Sequence, residues 1–164
     1  MSESPEIVVR NARSDDAPAL GRLGKLLVAL HHAFDPDRFI APGPETERGY
    51  GSFLVSQLER QEVILLVAEG GGAVLGYAYA GLEGADWMAL RGPAGVIYDL
   101  IVEPGRRHEG IGGMLLQATL EGLAVRGAPR VVLSTATPNE VAQRLFATAG
   151  FRPTMVEMTR EWPD

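Results

Sequence analysis

The chain contains no cysteine and a single lysine, Lys25. Without a thiol it cannot form disulfide bonds, thiolate metal sites or a cysteine nucleophile. The absence of disulfide chemistry also indicates a reducing compartment. We therefore predict a cytoplasmic location.

Positive charge and long apolar runs are scarce as well. The 15 lysine and arginine residues are outnumbered by 21 acidic ones, and the formal net charge is -6. We therefore expect no nucleic-acid partner. No apolar run approaches the roughly 18 residues of a membrane span, and the first residues carry acid where a signal peptide needs base. We expect no membrane partner either.

The chain does have the composition of a globular protein. Its 164 residues are 46% hydrophobic, enough for one full core but too short for two ordinary domains. We predict a single domain over residues 1–164. The 20 glycines and 11 prolines indicate many short elements separated by turns, which disfavours a long helical bundle.

Hydrophobic periodicity predicts the order strand, two helices, hairpin, strand, helix, strand, helix, strand. The predicted strands are residues 6–12, 63–68, 73–82, 96–102, 130–135 and 150–162. The first helix follows a cap cluster at 14–16 and ends near residue 33, and the others cover residues 45–60, 112–125 and 138–148. Thr137 is the expected cap of the last helix, with Pro138 in its first turn.

A glycine-rich loop, residues 103–113, connects a buried strand to a helix. Its sequence is Glu-Pro-Gly-Arg-Arg-His-Glu-Gly-Ile-Gly-Gly. Free amides at a helix start, glycines that permit close approach and two arginines predict a phosphate-binding site. The dinucleotide pattern would need a glycine at Leu115, and the Gly-Lys-Ser/Thr of a P-loop is missing. A dinucleotide oxidoreductase is therefore disfavoured.

Two motifs resemble those of one enzyme family. Arg107-x-x-Gly110-x-Gly112 after a hydrophobic strand is similar to motif A of the GCN5-related N-acetyltransferases. Downstream, residues 139–151 resemble motif B of that family, with the pattern Asn-x-x-Ala-x-x-Leu-Phe-x-x-x-Gly-Phe. The spacing and the order of elements also match. We identify the chain as a member of this family, with the resemblance covering residues 6–162.

The resemblance implies a mixed α/β (α+β) fold. Its centre is a mostly antiparallel, twisted sheet of six to seven strands, flanked by about four helices. Strand 96–102 and the parallel strand 130–135 splay apart, and the pantetheine arm of acetyl-coenzyme A enters between them like an additional strand. Acetyl-coenzyme A is the implied co-substrate, and no metal is required.

The resemblance also implies which residues bind the donor. The loop amides hold the pyrophosphate, the backbone of Ile101 and Val102 pairs with pantetheine, and the asparagine of motif B contacts the same ligand. The implied set is Ile101, Val102, Arg107, His108, Glu109, Gly110, Ile111, Gly112, Gly113, Asn139 and Phe146. Arg106 could contact phosphate or form an ion pair with Glu103 or Glu109.

Asp99 and Tyr98 are the candidate catalytic residues. Asp99 is a lone carboxylate in an apolar strand, where desolvation raises a carboxyl pKa toward values useful to a general base. The alternative is a buried acid held by backbone amides. Glu103, Glu83 and an ordered water are weaker candidates for the base.

The proton for the leaving thiolate is a separate question. In the family it is often supplied by a tyrosine at the position of Phe146, and phenylalanine has no proton to give. Tyr98, Tyr79 or water could supply it instead. The remaining alternative is a coenzyme A binding or sensing module with weak or no turnover.

The resemblance predicts acetyl transfer to the primary amine of a small molecule or peptide by direct attack. Homodimers are common in the family, often through sheet edges or the last strand, but the sequence does not fix the oligomeric state. His31 is expected at the core edge or in contact with substrate, and His32 at the surface. Trp87 and Met88 either line the acceptor pocket or pack on a neighbour. Four acidic residues either attract a cationic substrate or are merely solvated, namely Asp35, Asp37, Glu45 and Glu47.

Overall fold

A computed structural model describes residues 4–164, which form a five-stranded sheet flanked by helices. The strands lie side by side in chain order, and all neighbours are antiparallel except the last pair, which is parallel. They are β1 (Val8–Asn11), β2 (Val63–Gly70), β3 (Ala73–Glu83), β4 (Ala94–Val102) and β5 (Val131–Leu133). The helices are α1 (Ala17–Phe34), α2 (Thr46–Ser56), α3 (Ile111–Val125) and α4 (Glu140–Thr148). None of the helices in the described part is long and apolar enough to cross a membrane.

The two faces of the sheet carry separate hydrophobic cores. Side chains on a strand alternate between faces, and β3 shows the consequence most clearly. Its Tyr77 and Tyr79 pack with α1 and α2, whereas its Ala78 and Ala80 pack on the other face with α3 and with Phe146 of α4. The tyrosines therefore lie on the same side of the sheet as α1 and α2.

Glycines allow α1 and α2 to cross at close range. A Cβ at Gly21 would lie 2.2 Å from the carbonyl oxygen of Glu47, and one at Gly51 would lie 2.4 Å from that of Ala17. Neither distance is possible for a real side chain, so the crossing requires glycine at both positions. A Cβ at Gly24 would lie 2.3 Å from the ring of Tyr50. The ring of Tyr50 is therefore seated directly against the backbone of α1.

The expected number of strands is wrong, because the sheet has five strands and not six to seven. Residues 150–162, predicted as the last strand, form no strand pairing with the described chain, and residues 152–164 are exposed throughout, although Glu157 forms an ion pair with Arg38. Their apolar residues match a strand pattern, but a strand needs a neighbour for its backbone hydrogen bonds. Phe151, at the start of the segment, does pack against the core.

The start of α4 also differs from the prediction. The helix begins at Glu140, and its cap is Asn139, whose side-chain oxygen accepts a hydrogen bond from the Ala142 amide at 3.2 Å. Thr137 is therefore not the cap. Both residues are good caps, so local propensity alone did not distinguish them.

The splay between the parallel strands is confirmed. β4 and β5 pair at only three positions, the last joining Ile97 to Leu133. β4 continues to Val102, while the chain leaves β5 after Leu133. Residues 98–102 consequently have a neighbour on the β3 side alone, and the sheet opens into a cleft.

Candidate active site

The loop after β4 has the backbone of an anion-binding turn. Two residues in it have left-handed conformations, His108 with φ of 70° and Gly110 with φ of 79°. Gly110 is also the N-cap of α3. Successive residues that alternate between left- and right-handed conformations turn their N–H groups to one side. The positive end of the α3 dipole lies at the same point.

The amides of this loop are free. Within residues 4–164, none of the N–H groups of residues 107–113 donates to a protein acceptor, and the first intrahelical bond runs from Met114 to Gly110 at 3.0 Å. A Cβ at Gly110 or Gly113 would meet nothing within 4 Å. The loop therefore offers several unused donors in open space.

The two arginines of the loop have different surroundings. The Arg106 guanidinium donates to Glu109 at 2.6 Å and 3.1 Å, whereas Arg107 is exposed and pairs with no carboxylate in the described chain. The Arg106 side chain holds the pKa of Glu109 below its usual range. Arg107 is therefore the free cation beside the loop, and Arg106 forms the ion pair that was its alternative role.

The backbone of β4 faces alternately toward β3 and toward the cleft. The Glu103 amide donates to Leu75 in β3 at 2.7 Å. Residues two apart on an antiparallel strand face the same neighbour. Ile101 therefore directs its backbone to β3, and its side chain is buried in the core beside α1. The backbone groups of Val102 and Leu100 therefore face the cleft, whereas those of Ile101, which was expected to pair with pantetheine, face β3.

A cavity of about 280 Å³ lies at the inner end of the cleft. Its walls come from α1 and the loop after it, from β4, and from β5 with α4. The lining residues are Leu27, Val28, His31, Phe39, Ile40, Ile97, Tyr98, Asp99, Leu100, Leu133, Ser134, Thr135, Asn139, Ala142 and Phe146. We call the wall of α1 and its loop the acceptor half, and the wall of β5 and α4, together with the amide loop, the donor half.

Asp99 joins the two halves. Its Oδ2 accepts hydrogen bonds from the hydroxyls of Tyr50 at 2.6 Å and Tyr77 at 2.8 Å. Oδ1 forms no hydrogen bond with the described chain. Every fully buried side-chain oxygen or nitrogen of the described residues has a hydrogen-bond partner, so Oδ1 is not fully buried. Oδ1 is therefore reached from the cavity. The alternative role, an acid held by backbone amides, does not match this arrangement.

Burial raises the pKa of Asp99 above its ordinary value. The two tyrosine hydroxyls and His31 oppose the shift, because each stabilises the carboxylate. The pKa values of Tyr50 and Tyr77 are raised strongly, chiefly by burial and by the nearby Asp99. Both hydroxyls therefore remain protonated donors at physiological pH.

Tyr98 lies at an irregularity in the pairing of β3 with β4. Tyr79 pairs with Asp99 and Ala80 pairs with Ile97, so Tyr98 between them has no partner in β3. It lines the cavity, but its hydroxyl donates to Glu83 at 2.6 Å. Burial and the Glu83 carboxylate raise its pKa. Tyr79 does not line the cavity, and its hydroxyl donates to Gln57 at 3.3 Å.

The weaker candidates for the base are engaged elsewhere. Glu103 pairs with Arg22, and Glu83 binds both Tyr98 and Arg91. Neither carboxylate lines the cavity. Asp99 is the only carboxylate among the lining residues.

Both histidines at the end of α1 are half-buried. His31 lines the cavity, and its Nδ1 lies 2.8 Å from the carbonyl oxygen of Leu27. A carbonyl only accepts, so Nδ1 carries a proton, and Nε2 forms no hydrogen bond with the described chain. Nδ1 of His32 donates to the Phe39 carbonyl at 2.9 Å and so holds the loop that lines the cavity. The expected surface position of His32 is wrong.

Motif B contributes Asn139 and Phe146 to the donor half. Asn139 uses its oxygen to cap α4, which leaves its amide nitrogen at the cavity. The ring of Phe146 packs edge-on against Phe151, with 5.9 Å between centroids. No hydroxyl is present at this position.

Several residues singled out from the sequence lie apart from the cavity. Trp87 and Met88 are exposed at the tip of the β3–β4 loop, at 81% and 90%. The four acidic residues near α2 do not line the cavity, and Glu45 pairs with Arg48. Sequence reasoning missed Tyr50, Tyr77, Phe39 and Ile40. Within residues 4–164, no group of three or more His, Asp or Glu residues is arranged to hold a metal.

The sequence matches one protein family over most of its length. A family model described as "Acetyltransferase (GNAT) family" matches residues 27–151. The uncharacterized N-acetyltransferase YhfO of Bacillus subtilis is 27% identical over 145 residues, which cover 87% of this chain and 88% of that protein. Mycothiol acetyltransferase of Clavibacter michiganensis is 36% identical over 77 residues, 47% of this chain but only 25% of that protein.

Solved structures share the fold at lower identity. A mutant of the BH1408 protein of Bacillus halodurans has a TM-score of 0.78 at 20% identity, covering 95% of this chain and 98% of that one. A predicted acetyltransferase of Clostridium acetobutylicum, solved with acetyl-CoA, has a TM-score of 0.71 at 16% identity, covering 94% and 96%. These likenesses show the fold.

Proposed function

The chain belongs to the GNAT family of acetyltransferases, and we propose that it transfers the acetyl group of acetyl-coenzyme A to a primary amine of a small molecule or peptide. The observation that carries the proposal is the run of unengaged amides at residues 107–113 beside the mouth of the cleft. An anion at a helix start is favoured by the amides and by the helix dipole.

The residues present fit this donor. The amides of residues 107–113 and the Arg107 guanidinium are matched to a pyrophosphate, and the absence of side chains at Gly110 and Gly113 leaves room for it. The cleft edge of β4, at Leu100 and Val102, can pair with the amides of an extended pantetheine arm. Asn139 and Phe146 form the opposite wall. Bound acetyl-coenzyme A supplies a reactive thioester at this point.

Asp99 is the proposed base. An aliphatic ammonium must lose a proton before its nitrogen can attack, and Oδ1 of Asp99 is a carboxylate oxygen open to the cavity. The amine nitrogen then bonds to the acetyl carbon, the carbon–sulfur bond breaks, the nitrogen releases its second proton to water, and the thiolate takes up a proton. Tyr98 or water is the proposed source of that proton. Tyr98 would have to turn its hydroxyl away from Glu83.

Two measurements test the proposal on the intact chain. Calorimetry should show binding of acetyl-coenzyme A and none of NAD, and thiol release should follow when primary amines are added. Binding of NAD in preference to acetyl-coenzyme A would refute the assignment.

The second candidate is a coenzyme A binding module with weak or no turnover. Phe146 favours it, because the cavity has no hydroxyl there. Binding of acetyl-coenzyme A without thiol release for any amine would support the module. If Phe146→Tyr then restored turnover with unchanged binding, the missing proton donor would be identified as the cause.

A homodimer is part of the proposal, with a second copy of the chain as the partner. Residues 152–164 project apolar side chains into solvent, and β5 is an edge strand with one neighbour. Met155, Val156, Met158 and Trp162 are 77% to 90% exposed. Light scattering should give twice the mass of the 17.6 kDa chain, and Met158→Glu should lower it toward one chain. The single acetyltransferase domain and the cytoplasmic location stay predictions.

A further inference from the structure

We infer that the acceptor is a primary monoamine carried on an apolar body, and not a diamine or polyamine. The inference rests on the proposed function and deepens it, because it concerns the acceptor half of the same cavity. It follows from the distribution of charge around Asp99.

Few charged groups line the cavity. Of the described residues that line the cavity, only Asp99 and His31 can carry a charge. One carboxylate can neutralise one ammonium. Its Oδ2 is occupied by two tyrosine hydroxyls, so Oδ1 is the oxygen that remains for the substrate nitrogen.

The wall of the cavity beyond Asp99 is mainly apolar. The acceptor half consists of Leu27, Val28, Phe39 and Ile40 together with His31. The Nδ1 proton of His31 is used by the Leu27 carbonyl, and its ring packs edge-on against Phe39 with centroids 5.1 Å apart. An alkyl or aromatic substrate body would replace water along this wall, and burial of apolar surface favours binding.

A second positive charge on the substrate would be unfavourable in this cavity. A second ammonium a few carbons from the first would lie against Leu27 and Val28, with no carboxylate to pair with it. Removing an unpaired cation from water is expensive. None of the four acidic residues near α2, Asp35, Asp37, Glu45 and Glu47, lines the cavity, and Glu45 already pairs with Arg48.

The test compares two amines of equal length, butylamine and 1,4-diaminobutane. Thiol release is measured with the intact chain at saturating acetyl-coenzyme A. We expect kcat/KM for butylamine to exceed that for 1,4-diaminobutane by at least about tenfold. Equal values, or a preference for the diamine, would overturn the inference.

A designed carboxylate gives an independent check. Val28 lines the cavity from α1 and is only partly buried. Val28→Asp should raise the ratio of diamine to monoamine activity by about tenfold, because a second ammonium gains a partner. Val28→Asn, which has the same shape without the charge, should leave the ratio near that of the wild type. A ratio that changes equally in both variants would contradict the argument.

Failure of the inference and failure of the proposed function give different results. If acetyl-coenzyme A does not bind in calorimetry, the proposed function is wrong. If it binds, but 1,4-diaminobutane is acetylated and butylamine is not, the proposed function stands and the acceptor class is wrong. If it binds and neither amine is acetylated, the acceptor class is wrong; thiol release with other primary amines would then retain the proposed function, and no release with any amine would support the coenzyme A binding module.

Discussion

The donor half and the acceptor half of the cavity are built by different means. The donor half offers unengaged backbone amides of one continuous stretch, residues 107–113, at a helix start. The acceptor half, and Asp99 where the two halves meet, depend on side chains from separate segments. Asp99 of β4 is held by Tyr77 of β3 and by Tyr50 of α2, which lie 22 and 49 residues away in the chain.

Because the two halves are built differently, affinity for acetyl-coenzyme A and the rate of turnover should depend on different residues. Amides and a helix dipole bind an anion whatever is attached to it, so the donor half should determine affinity for acetyl-coenzyme A. The clamped carboxylate in an apolar wall is the proposed base for the other substrate, so it should determine turnover. Variants in one half should therefore leave the property of the other half unchanged, and five predictions test this.

The largest effect is expected for Gly112→Glu. The backbone at Gly112 is not left-handed, and a Cβ there would be 3.4 Å from Leu145, which is an ordinary contact. The fold should tolerate the side chain, but its bulk and negative charge enter the anion site. Calorimetry should show affinity for acetyl-coenzyme A reduced by at least about 100-fold.

The matched control is Gly49→Glu in α2, where a Cβ would meet nothing within 4 Å. It adds the same charge away from the amide loop, and acetyl-coenzyme A should bind as in the wild type. Equal affinity in the Gly112 variant and the wild type would refute the anion site.

Asp99→Asn should act on the other half. Removing a general base lowers turnover by about 100-fold or more, and thiol-release kinetics would measure the loss. The affinity for acetyl-coenzyme A should stay within about twofold of the wild type, because Asp99 is not part of the amide loop. A variant that kept its turnover would show that water or another group is the base.

The next prediction separates the two arginines. Arg107→Ala should weaken acetyl-coenzyme A binding about tenfold, since a charged hydrogen bond to phosphate is lost. Arg106→Ala should change the affinity by less than about threefold, because its guanidinium is already paired with Glu109. Calorimetry on both variants measures these affinities. A larger loss for Arg106→Ala than for Arg107→Ala would show that Arg106, and not Arg107, is the arginine that binds phosphate.

Tyr50→Phe should have a smaller effect that depends on pH. The Tyr50 hydroxyl lowers the pKa of Asp99, so its removal raises that pKa further. Asp99 then stays protonated to higher pH, and the acid limb of the pH profile of kcat/KM moves upward. We expect a loss of about threefold to tenfold on the acid limb of the profile that disappears on its high-pH side.

Tyr79→Phe is the control for this shift, because the Tyr79 hydroxyl bonds to Gln57 and not to Asp99. Its pH profile should match that of the wild type. If both variants moved the acid limb alike, Tyr50 would not be acting through Asp99.

The smallest effect concerns stability. Burial raises the folded-state pKa of Asp99 above its unfolded value, so the protonated carboxyl is the form that folding favours. The stability that this provides is present below the unfolded pKa and is lost as pH rises through the folded pKa. At pH 7, Asp99→Asn should therefore melt a few degrees above the wild type, and the difference should shrink as pH falls toward 4. Melting curves across this range check it, and a variant that melts lower at pH 7 would contradict the sign.

The same difference explains how much could be predicted from the sequence. The donor loop lies in one continuous stretch whose glycines and arginines have a direct physical reason, so its position was predictable from the sequence. Asp99 was also predictable, because a lone carboxylate in an apolar strand is unusual. Tyr50 and Tyr77 were not, since each matches an ordinary apolar position of a helix or strand, and only the folded sheet brings them to Asp99.

The error in strand number has a related origin. Residues 150–162 match a strand by composition, but pairing depends on a neighbour that local pattern does not specify. The prediction placed the segment in the sheet of its own chain, but among the described residues it pairs with no strand, although β5 has an unpaired edge. Composition indicates an extended conformation, and only tertiary structure decides what it pairs with.

The glycine crossing of α1 and α2 has a consequence for engineering. Tyr50 rests on Gly24, and no larger residue fits at Gly21, Gly24 or Gly51 without moving a helix. Randomised libraries that include these three positions would return mostly inactive clones. Diversity aimed at new acceptors belongs at the outer rim, above all at Ile40, where 79% exposure leaves almost any replacement compatible with folding.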